Sequence, residues 1–380
     1  MKFIVSRNEL YKNLSAISGV LSTNNTMQIL DNFLFTVKGS KLTATASDLD
    51  CTMSAEIELN NVEGEGSIAV PSKNLLETLK LVGESPIVFY TMEDGDSISL
   101  QFNVADGVYN DHCFPGAEYP DVTKQMADCQ NFDIEAPLLH KAISKTLFAT
   151  SNDELRQNMM GVFCELNSEN ITFVATDAHK LVKFRSNAVH TPDPASFILP
   201  KKPLQQLKNV IAGTTDNIQV SYSKESNYIR FAFGNITLYS SLKEGNYPNY
   251  QVVIPKDNDK SFVVSRDSFL QSIRRVGIYA NQSTYQIRVS LAADSASVTG
   301  EDIDYSKKAQ ESVVGTFTGD PIEIGFNAKF LREILENIDA PEIQLEMQQP
   351  NRAAIICPYG QTDEDDEYLL MLIMPFMLNN

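Results

Sequence analysis

The sequence predicts an α+β protein built from three tandem copies of one domain, each with two helices on one face of curved antiparallel sheets. Two observations predict it. Phe3-Ile-Val-Ser-Arg-Asn-Glu-Leu10 opens the chain and recurs as Phe132-Asp-Ile-Glu-Ala-Pro-Leu-Leu139 and Phe262-Val-Val-Ser-Arg-Asp-Ser-Phe269, at spacings of 129 and 130 residues. Repeats of solenoids and propellers run about 20–50 residues, so a period of this length is a whole domain. Within each copy the hydrophobic period also switches between helix and strand in the same order. The domains are expected at 1–128, 129–256 and 257–380. Three copies in a line point to an arc or a ring.

Each copy opens with a strand and a helix. Leu10, Leu14, Ile17 and Leu21 form one apolar helical stripe. Leu139, Ile143 and Thr146/Leu147 repeat it, as do Phe269, Ile273 and Val276. A β-rich stretch follows, with Leu42–Ala46, Ile171–Ala175 and Ala296–Thr299 as strand cores. It ends at an acidic corner: Ser47-Asp48, Thr176-Asp177 and Glu301-Asp302. A second helix then starts from Val70-Pro-Ser-Lys-Asn-Leu75, Leu199-Pro-Lys-Lys-Pro-Leu204 and Phe326-Asn-Ala-Lys-Phe-Leu331. Proline is a start signal in the first two. The copies end on Glu118-Tyr-Pro120, Asn246-Tyr-Pro248 and Met374-Pro375.

Composition narrows the function. At 380 residues with 43% hydrophobic content the chain can bury real cores. Its net charge of −18 excludes a protein that coats nucleic acid with its whole surface. The five cysteines (51, 113, 129, 164 and 357) are odd in number, scattered and without CxxC, which fits a reduced cytoplasmic chain. The N-terminus lacks a secretory apolar region. The longest apolar stretch, Tyr368 to Leu378, is too short to span a bilayer and reads as a buried strand.

The positive charge is not spread evenly. Helices expected at 7–20, 72–82, 138–149, 200–211, 266–278 and 328–338 together carry +9, leaving −27 on the rest. Lys73, Lys202 and Lys329 hold the same slot in the three second helices, away from the apolar stripe. That slot lies in the first turn, where the macrodipole disfavours a cation by roughly 0.3–1 kcal/mol. Lys12 and Lys141 share a slot in the first helices, and Lys145 and Arg275 another, both opposite the core stripe. Dispersed cations without aromatic platforms suit phosphate contact rather than base readout. The alternative is an ordinary solvated face. A basic helical lining within an acidic remainder fits a ring with nucleic acid through its hole.

Other motifs carry little. There is no Walker A sequence. Gly64-Glu-Gly66-Ser-Ile-Ala69 matches GxGxxA, but the helix starts only after Pro71, so phosphates would meet no helix N-terminus. The four histidines (112, 140, 179 and 190) lack ligand-like spacing, so no metal or other cofactor is expected. Asp177-Ala-His179 could be an acid–base pair, but no nucleophile accompanies it. Asp363-Glu-Asp-Asp-Glu367 reads as a solvated loop.

Met1-Lys-Phe3 with its helix, Val174-Ala-Thr-Asp-Ala-His-Lys-Leu181, Gly245-Asn-Tyr-Pro-Asn-Tyr250, Ile324-Gly-Phe-Asn327 and Met374-Pro375 occur in this order along the whole chain. Together they resemble the bacterial DNA polymerase III beta subunit, the sliding-clamp family. The resemblance implies a head-to-tail homodimer: a ring of six clamp domains with twelve helices lining a hole for duplex DNA. It implies no catalysis. Its partners would be the polymerase alpha subunit, the clamp loader and other proteins bearing a clamp-binding peptide. It places a peptide pocket at Met159, Thr176, Ala178, His179, Lys180, Leu181, Pro248, Val252, Val253, Leu372, Ile373, Met374, Pro375, Phe376 and Met377. The chain's most apolar strand would there meet the second acidic corner. It places the dimer contact at Tyr109 against Ile278 and Tyr279. With the charge pattern it sets Arg7, Lys12, Lys73, Lys80, Lys141, Lys145, Lys201, Lys202, Arg274, Arg275, Lys329 and Arg332 toward DNA. Departures from the family pattern are Ala178 for a usual glycine, Val252 and Met377 for basic residues, Asn24 for a loop arginine, and the extension through Asn379-Asn380. Those at the pocket imply a more apolar, less acidic peptide preference, and Asn24 leaves out a DNA contact that the loop arginine often makes. The rival functions are an enzyme using Asp177 and His179 in the same groove, and a β-rich scaffold that never touches DNA.

Overall fold

The computed structural model describes residues 1–22, 27–94, 97–104, 107–120 and 128–378. Asn24, Asn379 and Asn380 lie outside them. The helices follow the expected stripes: α1 Arg7–Ile17, α2 Ser72–Leu81, α3 Ala136–Thr146, α4 Lys201–Val210, α5 Arg266–Gly277 and α6 Ala328–Glu336. Leu10, Leu14 and Ile17 of α1 are fully buried, as are Leu75 and Leu79 of α2 and Leu331, Ile334 and Leu335 of α6. Leu21 departs from the expected stripe. The helix tightens into a 3-10 turn at Ser18–Val20, which turns Val20 into the core instead. Pro71 and Pro200 each end a strand, and the helix begins at the next residue. Asn327 caps α6: its Oδ1 accepts the Lys329 and Phe330 amides.

The chain forms two compact units, Met1–Leu139 with Lys202–Leu242, and His140–Lys201 with Lys243–Asn380. The division runs through the middle repeat because sheets cross the repeat boundaries. In the first unit one 13-stranded sheet joins the first repeat to half of the second. The junction is the antiparallel pair of Cys51–Glu58 with Ile236–Ser241, from Ile236↔Ala55 to Ser240↔Cys51. The second unit holds a nine-stranded and a four-stranded sheet. Its junction pairs Lys180–Ser186 with Glu367–Ile373, from Lys180↔Ile373 to Ser186↔Glu367.

The two junctions use equivalent pieces. In each, the strand after an acidic corner pairs with the closing strand of the next repeat. Ile171–Thr176 is buried at every position, not alternately, because it lies inside the nine-stranded sheet rather than on a solvated face. The apolar C-terminal stretch is a strand only over Glu367–Ile373. Beyond it the chain leaves the ladder at Met374-Pro375, since proline has no amide to offer. Among the described residues no helix is long and apolar enough to cross a membrane.

Candidate functional site

The second acidic corner is a tight turn between the strands Ile171–Thr176 and Lys180–Ser186. Asp177 Oδ1 accepts the main-chain amides of His179 and Lys180, both at 2.9 Å. Thr176 Oγ1 accepts the Ala178 amide at 3.1 Å and donates to the Lys180 carbonyl at 2.7 Å. These bonds hold Ala178 at φ +74°, a left-handed conformation that costs an L-residue roughly 1–2 kcal/mol.

Lys180 is not a groove cation. Its side chain is 5% exposed, with the ammonium 2.5 Å from Asp177 Oδ2 and 3.1 Å from Glu333 Oε2. It also lies 4.6 Å from the centre of the Phe330 ring. The His179 ring stacks on Phe330 at 5.4 Å. Phe330 of α6 thus packs against both turn residues. Asp177 therefore bonds the amide of His179 and the ammonium of Lys180. The Asp177 carboxylate is thus engaged within the strand-end turn itself.

The C-terminal segment runs past this turn. The Met374 amide donates to the His179 carbonyl at 2.8 Å, and the Phe376 amide to the Gly325 carbonyl at 2.8 Å. Beneath lies an apolar cluster of Val174, Leu181, Tyr250, Ala353, Ile355, Leu370 and Leu372, with Phe163 and Tyr247 against it. Phe163 and Tyr247 stack at 4.8 Å. Burial pushes the phenols of Tyr247 and Tyr250 up, so both stay neutral.

The expected pocket residues divide into floor and wall. Thr176, Lys180, Leu181, Leu372 and Ile373 are buried. Inter-strand pairing and the core hold them. Met159, Pro248, Pro375 and Phe376 are half-buried. Val252, Val253, Met374 and Met377 are exposed at 75%, 50%, 41% and 70%. Ala178 and His179 are exposed beside them. Sequence reasoning missed Phe330 and Glu333, although their proximity in α6 to the aligned Leu331 was a usable signal. Leu155, in the 3-10 helix Glu154–Met159, is 94% exposed.

The basic residues also divide. Lys12, Lys73, Lys80, Lys141, Lys202, Arg274, Arg275, Lys329 and Arg332 are exposed, and Arg7 and Lys201 half-buried. Lys145 is a correction: it is 6% exposed, bonded to the Asn337 carbonyl at 2.8 Å and Asp339 at 2.7 Å. The segment after α6 covers its slot, so it faces no open surface. Others have internal partners. Lys202 pairs with Asp48 and the Val20 carbonyl, Lys141 with Glu367, and Lys201 with Asn152. Arg7 Nε bonds the Leu79 carbonyl. Arg274 and Arg332 share Glu336. Arg275 is held by both oxygens of Glu311, on the edge strand Lys307–Ser312. Lys329 sits 3.4 Å from the centre of the Tyr285 ring. Internal partners thus account for two of the three aligned first-turn lysines. Among the described residues no hydrogen bond or ion pair engages Lys12, Lys73 or Lys80.

Among the described residues, two of the strands that are unpaired or only partly paired on one side lie in the first and third repeats. Gly107–Cys113 pairs with Ile98–Val104, and on the strand's other side, among the described residues, only Phe114 and Pro115 are paired, with Ala69 and Ile68. Lys307–Ser312 ends the four-stranded sheet. Tyr109 lies on the first of these edges and is 37% exposed; Ile278 and Tyr279, just after α5, are 71% and 43% exposed.

Three family models of the DNA polymerase III beta subunit match in order: the N-terminal domain at residues 1–123, the central domain at 133–249 and the C-terminal domain at 251–376. The chain belongs to the DNA polymerase III beta subunit family. It is therefore a DNA sliding clamp for the polymerase, and its three-domain fold is the clamp fold. The beta sliding clamp of Pseudomonas putida is 25% identical over 372 residues, covering 98% of this chain and 99% of that one. The Synechococcus elongatus clamp is 27% identical over 389 residues, covering all of both. Among solved structures, the Bacillus subtilis clamp superposes with a TM-score of 0.92 at 22% identity over the full length of both chains. The Pseudomonas aeruginosa clamp, solved bound to griselimycin, gives 0.90 at 24%, again over both full chains.

Proposed function

We propose that two copies of this clamp close head to tail around duplex DNA, and that the groove beside Ala178 and Met374 takes a short apolar peptide of the polymerase. Repetition carries the closure. Twice along the chain a strand after an acidic corner pairs with the closing strand of the next repeat. The third corner strand, Lys307–Ser312, and the first repeat's closing strand, Gly107–Pro115, have no such partner among the described residues. An open edge invites pairing, and the same junction made with a second copy closes a ring. Tyr109, Ile278 and Tyr279 flank these edges.

The domains are then 1–128, 129–256 and 257–380. The exposed cations of the helices face the DNA, with Lys12, Lys73 and Lys80 the most available. The clamp works in the cytoplasm as a non-catalytic accessory of the polymerase, loaded by a clamp loader. Topology keeps it on DNA, and dispersed cations hold phosphates without fixing a register. The groove's exposed wall is apolar, and Lys180 is committed to carboxylates, so it suits a peptide with apolar anchors. Griselimycin, bound by the Pseudomonas aeruginosa clamp, is a candidate competitor for it.

Sedimentation tests the closure. Wild type should run as a dimer and the Ile278→Ala/Tyr279→Ala double variant as a monomer. A double variant that stays dimeric removes those residues from the interface.

A further inference from the structure

Gly325 lies between two main-chain partners. On one side it pairs with Arg288 in the four-stranded sheet. On the other it forms an isolated antiparallel bridge with Phe376, whose amide donates to its carbonyl at 2.8 Å. A Cβ on Gly325 would meet the Phe376 carbonyl oxygen at 2.7 Å and Leu378 Cδ2 at 2.9 Å. All of the nearest atoms belong to the C-terminal segment, and none to the strand Gln286–Ala292. Glycine is used here for close approach of two backbones, not for a left-handed turn.

The segment it admits is only partly buried. Ile373 is fully buried, yet none of Met374, Pro375, Phe376, Met377 and Leu378 is buried. Two main-chain hydrogen bonds place it: Met374 to His179 at one end and Phe376 to Gly325 two residues on. The first ties it to the turn that carries Ala178 and His179. The second ties it to the strand that leads into α6. Met374 and Met377, the exposed apolar groups of this wall, lie on or beside those two anchors.

We infer that Gly325 is a positioning residue of the groove. Its missing side chain lets the C-terminal segment dock as an added edge strand and so sets where Met374 and Met377 stand. The inference rests on reading the groove as a peptide site. Any side chain at 325 displaces the wall while leaving the floor of Leu181 and Leu372 intact.

The test uses full-length protein and a fluorescein-labelled peptide from the C-terminus of the same organism's polymerase alpha subunit. Gly325→Ala should weaken binding by about tenfold, the equivalent of one well-placed anchor. It should speed amide exchange at Phe376 and leave sedimentation unchanged. Phe376→Pro removes the donated amide without adding bulk at Gly325, and should weaken binding similarly. Because both act through one contact, the double variant should bind no more weakly than the weaker single. Wild-type affinity in Gly325→Ala beside a binding wild type overturns the inference alone. Should Gly325→Ala fail to fold, wild-type affinity in Phe376→Pro overturns it equally. Wild-type protein that does not bind the peptide overturns the groove reading, and the inference falls with it.

Discussion

The Lys180 ammonium lies 3.1 Å from the Glu333 carboxylate, joining the turn at the groove to helix α6. Asp177 is nearer still at 2.5 Å. Removing a buried partner strands the charges it neutralised. Glu333 is 38% exposed, so water softens the loss. Lys180→Met is expected to cost about 2–3 kcal/mol in denaturant unfolding, and Glu333→Gln about 1 kcal/mol or less. Wild-type stability in Lys180→Met would mean the ammonium is free for a ligand after all.

Ala178 at φ +74° gives a stability change of known sign. Glycine relieves a left-handed cost of roughly 1–2 kcal/mol and gives back about 0.4–1 kcal/mol through a freer unfolded chain. Ala178→Gly should therefore raise the melting midpoint by up to about 3 °C. A lower midpoint would contradict the turn geometry.

Wall and floor should separate in the groove. Met374→Ala should weaken labelled polymerase peptide by about 1–3 kcal/mol with folding intact. His179→Ala should be milder, since its ring is exposed on one side and stacked on Phe330 on the other. Leu181→Ala, at 2% exposure, should lower stability by about 2–5 kcal/mol. Were His179→Ala by far the most damaging while Met374→Ala bound normally, the peptide assignment would fail.

Much of this was legible in the sequence, and the failures share a cause. The helices were readable because Leu10, Leu14 and Ile17, or Phe269, Ile273 and Val276, recur at helical spacing and face the core whatever surrounds them. The repeat and the apolar final strand were readable for the same reason. Lys145 was misjudged because helical spacing fixes a direction, not what covers it, and a segment almost two hundred residues later closes over it. The mild dipole cost of Lys202 and Lys329 suggested an external anion. Asp48 and the Tyr285 ring supply internal partners instead. Lys180 and Gly325 depend on contacts between distant segments, which one sequence does not display.

The basic faces should follow the same division. Lys12→Glu/Lys73→Glu/Lys80→Glu should weaken DNA association and flatten its salt dependence, the slope falling by about 0.9 for each phosphate that is no longer neutralised. Lys145→Met should destabilise the fold and leave the slope alone. An unchanged slope in the triple variant would return those lysines to an ordinary solvated face.

The central claim is retention by closure. The protein is loaded by its clamp loader onto nicked circular DNA, stripped of free protein by gel filtration at elevated salt, and counted on the DNA before and after a single-site cut. Topological retention predicts that the clamp stays on the circle through the salt wash and leaves once the DNA is linear. Loss from the intact circle in salt, or equal retention on linear DNA, would contradict it.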